Sequence, residues 1–441
     1  MASAIQPPPA TGPAAPGTRY THYPMALAVV TVIFFMWGFL TCLNDILIPH
    51  LKSTFQLGYA QAMLVQFTFF GAYFLMALPA GRLVALLGYK KGIVAGLAIA
   101  GLGALGFWPA AALHLYPAFL AALFVLATGI TVLQVAANPY VALLGPERTS
   151  SSRLTLAQAL NSFGTFLAPW FGGMLILSSV VKSPDELAAL PAAEQLAYQT
   201  QQAQAVQGPY LGLAVVLVLL AVFVWLFRLP ALRSATDRDD HASHGFAEVL
   251  RHPHVLFGVI GIFCYVGAEV SIGSFMVNYL SMPEIGRMSE QEAAKYVSYY
   301  WLGAMIGRFI GSALTAAFPP RRLLALFGAI NALLVLATMI TRGDLAMYSI
   351  IATGLFNSIM FPTIFALGIE RLGPMTSKAS SLLIMAIVGG AIVPYVQGVF
   401  ADHIGLQHAF FLPLLCYLYV VFYGLSGSRL RGTLARDGEG R

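Results

Sequence analysis

Charged residues are scarce in this chain. Asp, Glu, Lys and Arg together make up 10% of its 441 residues, whereas a soluble domain carries about 25%, so there is too little charge to coat a water-facing surface. Cysteine is nearly absent. Cys42, Cys264 and Cys416 all fall in apolar stretches, at spacings that suit neither a disulfide framework nor a metal site, and serve as small apolar fillers. The histidines (His22, His50, His114, His241, His244, His252, His254, His403 and His408) lie in tails, loops or predicted helix ends. No nucleophile–base pair or metal-ligand spacing occurs inside the apolar stretches, which argues against an intramembrane enzyme. A charged N-terminal region followed by a short apolar stretch and a cleavage site is also missing, so no signal peptide is expected.

Apolar residues are abundant: 58% of the chain, with a mean hydropathy of +0.77. A membrane-crossing helix needs roughly 20 apolar residues, and long apolar runs separated by charged or Pro/Gly breaks predict twelve of them. Their spans are 25–48, 61–81, 91–109, 116–144, 154–178, 210–228, 254–280, 293–317, 322–340, 345–369, 379–400 and 408–427. The expected class is an all-α integral membrane protein of twelve transmembrane helices in two pseudo-symmetric six-helix bundles. The expected organisation is a Pro-rich disordered tail over 1–24, bundles over 25–228 and 254–427, a charged linker over 229–253, and a tail over 428–441. With both termini cytoplasmic, only Lys52, Lys182, Arg287, Lys295 and Arg342 fall on the outer side, and the other basic loop residues gather on the inner side. The positive-inside rule selects that orientation in an inner membrane. Basic loops of this kind suit anionic lipid rather than nucleic acid.

The two bundles read as copies of one plan. Ala127-Thr128-Gly129 and Pro139 in the fourth span are answered by Ala352-Thr353-Gly354 and Pro362 in the tenth; Gly164, Pro169 and Gly173 in the fifth by Gly389, Pro394 and Gly398 in the eleventh; Lys90-Lys91 by Arg321-Arg322. Small residues let helices approach closely, and prolines bend them where a cavity or neighbour satisfies the freed carbonyl. Two such repeats around a midplane cavity suit a carrier working by alternating access. A pore would instead show a continuous polar stripe.

Two carboxylates, Asp45 and Glu269, lie inside otherwise apolar helical stretches. Charge there costs at least roughly 2.5–3.5 kcal/mol, and an unpaired buried acid tends to take a proton, the property that proton coupling requires. Asp45 is interfacial if the first helix ends at Pro49, and deeper if the helix bends there and runs on to Phe55. Arg308 is the basic residue well inside a predicted helix; snorkelling, an ion pair and a cavity role are all open to it. Amides accompany the acids. Gln134 and Asn138 share a face of the fourth span, Gln158 and Asn161 one of the fifth, while Asn44, Asn278 and Asn357 lie on the first, seventh and tenth. An amide donates and accepts hydrogen bonds as a sugar hydroxyl does. With Trp37, Tyr265 and Phe361 to cover apolar ring faces, the set suits a neutral polyhydroxylated ligand. The same amides could instead join helices.

Several motifs carry a resemblance: Trp37–Pro49 (WGFLTCLNDILIP), Leu133–Tyr140 (LQVAANPY), Leu144–Glu147 (LGPE), Leu156–Gly164 (LAQALNSFG) and Phe361–Glu370 (FPTIFALGIE). They resemble the bacterial fucose/glucose/galactose permease branch of the major facilitator superfamily, over nearly the whole chain. Gly81–Lys91 (GRLVALLGYKK) is similar to the superfamily's signature after the second span, with Ala85 where an acid is usual. The resemblance implies a two-bundle fold and symport of a hexose with protons. Fucose-transporting members carry acids in the first and fourth spans; Asp45 matches the first, but Gln134 stands at the second, and Glu269 occupies a position where those members have an amide. That pattern is closer to the glucose/galactose members. It casts Glu269 as coupling group or sugar acceptor and leaves N-acetylglucosamine and other hexoses open. The expected partners are a small-molecule sugar and membrane lipid, with no cofactor and a monomeric state. The expected coupling ion is H⁺, and Na⁺ stays open because carboxylate and carbonyl oxygens around Asp45 would suit a hard cation.

Overall fold

The computed structural model describes residues 24–55, 59–113, 115–175, 206–230, 245–288 and 290–430, with isolated positions between 191 and 201. The expected tail before Pro24, most of the 229–253 linker and most of the 428–441 tail lie outside the described residues. The principal helices are α1 (Pro24–Thr54), α2 (Tyr59–Leu113), α3 (Tyr116–Leu143), α4 (Ser150–Leu175), α5 (Gln207–Leu226), α6 (Pro253–Leu280) and α7 (Glu290–Ala317). They continue with α8 (Pro320–Ile340), α9 (Gly343–Asn357), α10 (Met360–Gly368), α11 (Thr376–Met385), α12 (Gly389–Ile404) and α13 (Phe411–Phe422). Proline opens α3, α6 and α8 within their first two positions, where its missing N–H costs no helical bond.

Among the described residues nine segments are long and apolar enough to cross a membrane. One of them, Leu64–Leu113, runs for 50 residues, enough for two crossings. Its turn is at Gly88, whose φ of 77° lies in the left-handed region that glycine adopts freely. α4 and α7 fall short of the apolar criterion, because Gln158, Asn161 and Ser162 interrupt one and Arg308 the other. Adding them gives the twelve crossings that the sequence predicts.

Three elements depart from the expected spans. α1 does not stop at Pro49 but stays helical to Thr54, which places Asp45 well before its end. The tenth span is broken: α9 ends at Asn357, Ser358 and Ile359 form a turn, and α10 begins at Met360. The eleventh is also interrupted, by a 3₁₀ turn at Ala386–Val388 between α11 and α12. A discontinuous membrane helix exposes backbone groups that only a cavity or protein neighbour can satisfy.

The internal repeat has a direct structural counterpart. A side chain at Gly164 would run into the carbonyl oxygen of Phe35, bringing α4 onto α1; one at Gly389 would run into the carbonyl oxygen of Phe263, bringing α12 onto α6. The fifth and eleventh spans therefore seat on the first and seventh in the same way.

The two halves meet where α4 packs on α7 and α10, and where α11 packs on α2 and α3. Several bonds cross this seam toward the end that carries the basic loops. Ser152 Oγ donates to the Ser312 carbonyl at 2.7 Å and Ser312 Oγ returns a bond to the Ser152 carbonyl at 3.0 Å. Ser377 Oγ reaches the Gly81 carbonyl at 3.1 Å and Ser380 Oγ the Val135 carbonyl at 3.1 Å. In the loops, Glu147 accepts the backbone N–H of Arg371 at 3.2 Å and faces its guanidinium at 3.9 Å. The outward faces of the spans are apolar, with Leu75, Leu102, Leu219, Leu333 and Ile340 well exposed, as lipid contact requires.

Candidate substrate and coupling site

In the first half, α3 presents Gln134 and Asn138 one turn apart, both buried. Gln134 Nε2 donates to the Tyr73 hydroxyl of α2 at 2.6 Å, while its Oε1 has no partner among the described residues. Asn138 is fully buried with neither amide atom bonded among the described residues, and Gln158 on α4 is buried with Nε2 likewise unbonded among them. Buried polar groups are nearly always satisfied, so these three amides hold unused capacity to bind a ligand that both donates and accepts.

Asn161 is engaged differently. Its Nδ2 donates to the Phe34 carbonyl at 2.9 Å, which fastens α4 to α1 beside the Gly164 contact. Trp37 is buried on α1 with its ring centroid 4.9 Å from that of Phe34. Asn44 and Asp45 lie on α1, but their side chains fall outside the described residues.

The second half supplies the charge. Glu269 on α6 and Arg308 on α7 form an ion pair at 3.7 Å, with side chains 13% and 12% exposed. Arg308 Nη1 also hydrogen-bonds Ser162 Oγ of α4, so the guanidinium spans the seam between the halves. Glu269 Oε1 and Arg308 Nε have no hydrogen-bond partner among the described residues. Of the roles open to Arg308, the geometry shows the ion pair rather than snorkelling.

Behind the acid stands a network centred on Asn357, which is fully buried at the break in the tenth span. Asn357 Nδ2 donates to the Tyr300 hydroxyl, and its Oδ1 accepts from Asn331 Nδ2 and from the Tyr417 hydroxyl, each at 2.8 Å. The Tyr265 hydroxyl donates to the Asn357 carbonyl at 3.1 Å, and the Tyr300 hydroxyl reaches the Glu269 carbonyl at 3.3 Å. Phe361, at the start of α10, is half-buried and stacks on Phe365 with centroids 6.1 Å apart. Asn278 stands apart from this group, exposed near the end of α6.

The geometry adds residues that sequence reasoning passes over: Tyr73, Ser162, Tyr300, Asn331 and Tyr417. A lone tyrosine or serine in an apolar run carries no pattern of its own, and its role emerges only from its partner in another span. Chemically the arrangement offers donors, acceptors and one compensated charge pair around the seam.

The family profile described as Major Facilitator Superfamily matches residues 26–386. The chain belongs to that superfamily. Among its superfamily relatives, the "Glucose/galactose transporter" of Brucella abortus biovar 1 (strain 9-941) is 51% identical over 408 residues, covering 92% of this chain and 95% of the relative. The "L-fucose-proton symporter" of Escherichia coli (strain K12) is 37% identical over 406 residues, covering 91% of this chain and 92% of the relative. The crystal structure of the superfamily transporter FucP in the outward conformation superposes with a TM-score of 0.86 at 36% identity, covering 93% of this chain and 100% of that one. As a superfamily member the chain is a multi-pass membrane transporter and not an enzyme.

Proposed function

We propose that this transporter imports a neutral hexose, glucose or galactose, by proton symport through alternating access. The observation that carries the reading is the set of buried amide groups on Gln134, Asn138 and Gln158 left unbonded among the described residues, together with a carboxylate whose charge Arg308 compensates. A sugar hydroxyl exchanges hydrogen bonds with just such groups, and a site with balanced charge favours an uncharged ligand. The relatives named glucose/galactose transporter support the choice of hexose.

Glu269 is the coupling acid, with Asp45 as a second. Proton binding at Glu269 would release Arg308 from the ion pair and leave its guanidinium held by Ser162 across the seam. No bound cofactor is needed, and the working unit is a monomer in the bacterial inner membrane. The basic loops place the Ser152–Ser312 end in the cytoplasm; the bonds gathered there then close the inner side, in keeping with an outward-facing state.

The test is radiolabelled-sugar uptake into proteoliposomes, comparing glucose, galactose, N-acetylglucosamine and fucose, with and without an inward proton gradient, at zero and saturating Na⁺. Accumulation of glucose or galactose that needs the gradient but not Na⁺ supports the reading. Uptake only to equilibrium makes the protein a facilitator, dependence on Na⁺ changes the ion, and uptake of none of the sugars overturns the substrate class.

A further inference from the structure

We infer that the Glu269–Arg308 pair is a charge-selectivity filter, and that Arg308 is a latent anion site which the Glu269 carboxylate keeps filled from within the protein. The inference rests on the sugar reading and adds which charged sugars the site refuses, and why.

The Arg308 guanidinium is nearly buried, and Glu269 is the carboxylate within ion-pair distance of it among the described residues. The pair is loose: at 3.7 Å it is an ion pair without a direct hydrogen bond, and both Glu269 Oε1 and Arg308 Nε keep unused bonding capacity. Ser162 holds Nη1, which fixes the guanidinium plane while leaving Nε and Nη2 as adjacent donors. Two adjacent guanidinium N–H groups match the two oxygens of a carboxylate.

Before the coupling proton binds, Glu269 is ionised and Arg308 is compensated, so a ligand carboxylate entering the site at that stage would meet a second negative charge at low effective dielectric. A ligand ammonium would likewise meet the guanidinium. A neutral hexose escapes both penalties. Removing the carboxylate but not its shape, as Glu269→Gln does, leaves a buried guanidinium without a counter-charge, a costly state that an anionic ligand relieves. The ligand class is a hexuronate, whose six-membered pyranose ring carries a carboxylate in place of the terminal hydroxymethyl group. Removing the guanidinium instead, as Arg308→Met does, leaves an acid that favours an amino sugar.

The experiment is equilibrium binding to purified full-length protein, using labelled galactose, galacturonate and galactosamine, for wild type, E269Q, R308M and the E269Q/R308M double variant. The reading is the affinity ratio of charged to neutral sugar within each protein. The expected result is a rise of about tenfold or more in galacturonate over galactose for E269Q, equivalent to roughly 1.4 kcal/mol, abolished in the double variant. The reciprocal expectation is a rise in galactosamine over galactose for R308M. Should E269Q fail to fold, judged by gel filtration, R308M decides by the same ratio. Unchanged ratios in the folded single variants, or a galacturonate gain that survives loss of Arg308, overturn the filter while leaving the sugar reading intact. A wild type that binds no neutral hexose overturns the sugar reading and the filter with it.

Discussion

The Arg308 guanidinium of α7 lies 3.7 Å from the Glu269 carboxylate of α6, and neither side chain is more than 13% exposed. A pair this buried contributes little net stability, since desolvation offsets most of the attraction, but removing one partner strands the other's charge. Arg308→Met should therefore lower stability by about 3–5 kcal/mol, read as a drop in Tm in detergent. Adding Glu269→Gln should restore much of it, because no charge is then left uncompensated. A double variant no more stable than Arg308→Met would show that the two groups are not coupled.

Asn357 holds Tyr300, Tyr417 and Asn331 together at the break in the tenth span. Asn357→Ala leaves buried hydroxyl and amide groups short of a partner, each worth about 1–3 kcal/mol. The expected outcome is a marked fall in Tm and weakened sugar binding, because the support behind Glu269 loosens. Wild-type binding and Tm in this variant would remove Asn357 from that supporting role.

The architecture was largely legible in the sequence, and the site only in part. Apolar run length predicts α3, α8 and α9–α10 to within a few residues, because a bilayer imposes that length on any crossing helix. The matched Gly164 and Gly389 were legible as a repeat, since close helix approach leaves no room for a side chain. The break at Ser358–Ile359 was legible only in part: Pro362 signals a bend in the run 345–369, but nothing in that run places the turn four residues before it. Gln134, Asn138, Gln158 and Glu269 stood out because polar groups in an apolar run demand a reason. Asn161 stood out equally, yet its amide is spent on the Phe34 carbonyl, a distinction that depends on how α4 meets α1. Tyr73 and Tyr300 passed unnoticed because tyrosine is at home in apolar stretches and at membrane interfaces alike.

The glycine contacts carry their own prediction. Gly164→Leu forces α4 away from the Phe35 carbonyl, and Gly389→Leu forces α12 from that of Phe263. Overpacking of this kind costs about 1–3 kcal/mol even where neighbours can shift, and backbone cannot shift cheaply. Both variants should give reduced yields of folded protein by fluorescence-detected gel filtration. The Gly208→Leu control, where a side chain meets open space, should not.

Ser152 and Ser312 face each other across the seam with hydroxyl oxygens 3.3 Å apart. With Cys42, Cys264 and Cys416 replaced by alanine, the Ser152→Cys/Ser312→Cys variant should form a disulfide under mild oxidation that locks this end shut. Transport should stop on oxidation and return with reductant, while sugar binding from the opposite side persists. Unimpaired transport in the fully cross-linked protein would mean that the halves do not separate here.

The most direct test of proton symport follows protons rather than sugar. Proteoliposomes containing wild-type protein, with a pH indicator in a weakly buffered external medium and no imposed gradient, receive a pulse of galactose or glucose. The account predicts a sugar-dependent external alkalinisation, abolished by an uncoupler and absent in Glu269→Gln, which should still exchange labelled for unlabelled sugar. Sugar entry with no proton movement in the wild type, or undiminished alkalinisation in Glu269→Gln, would contradict it.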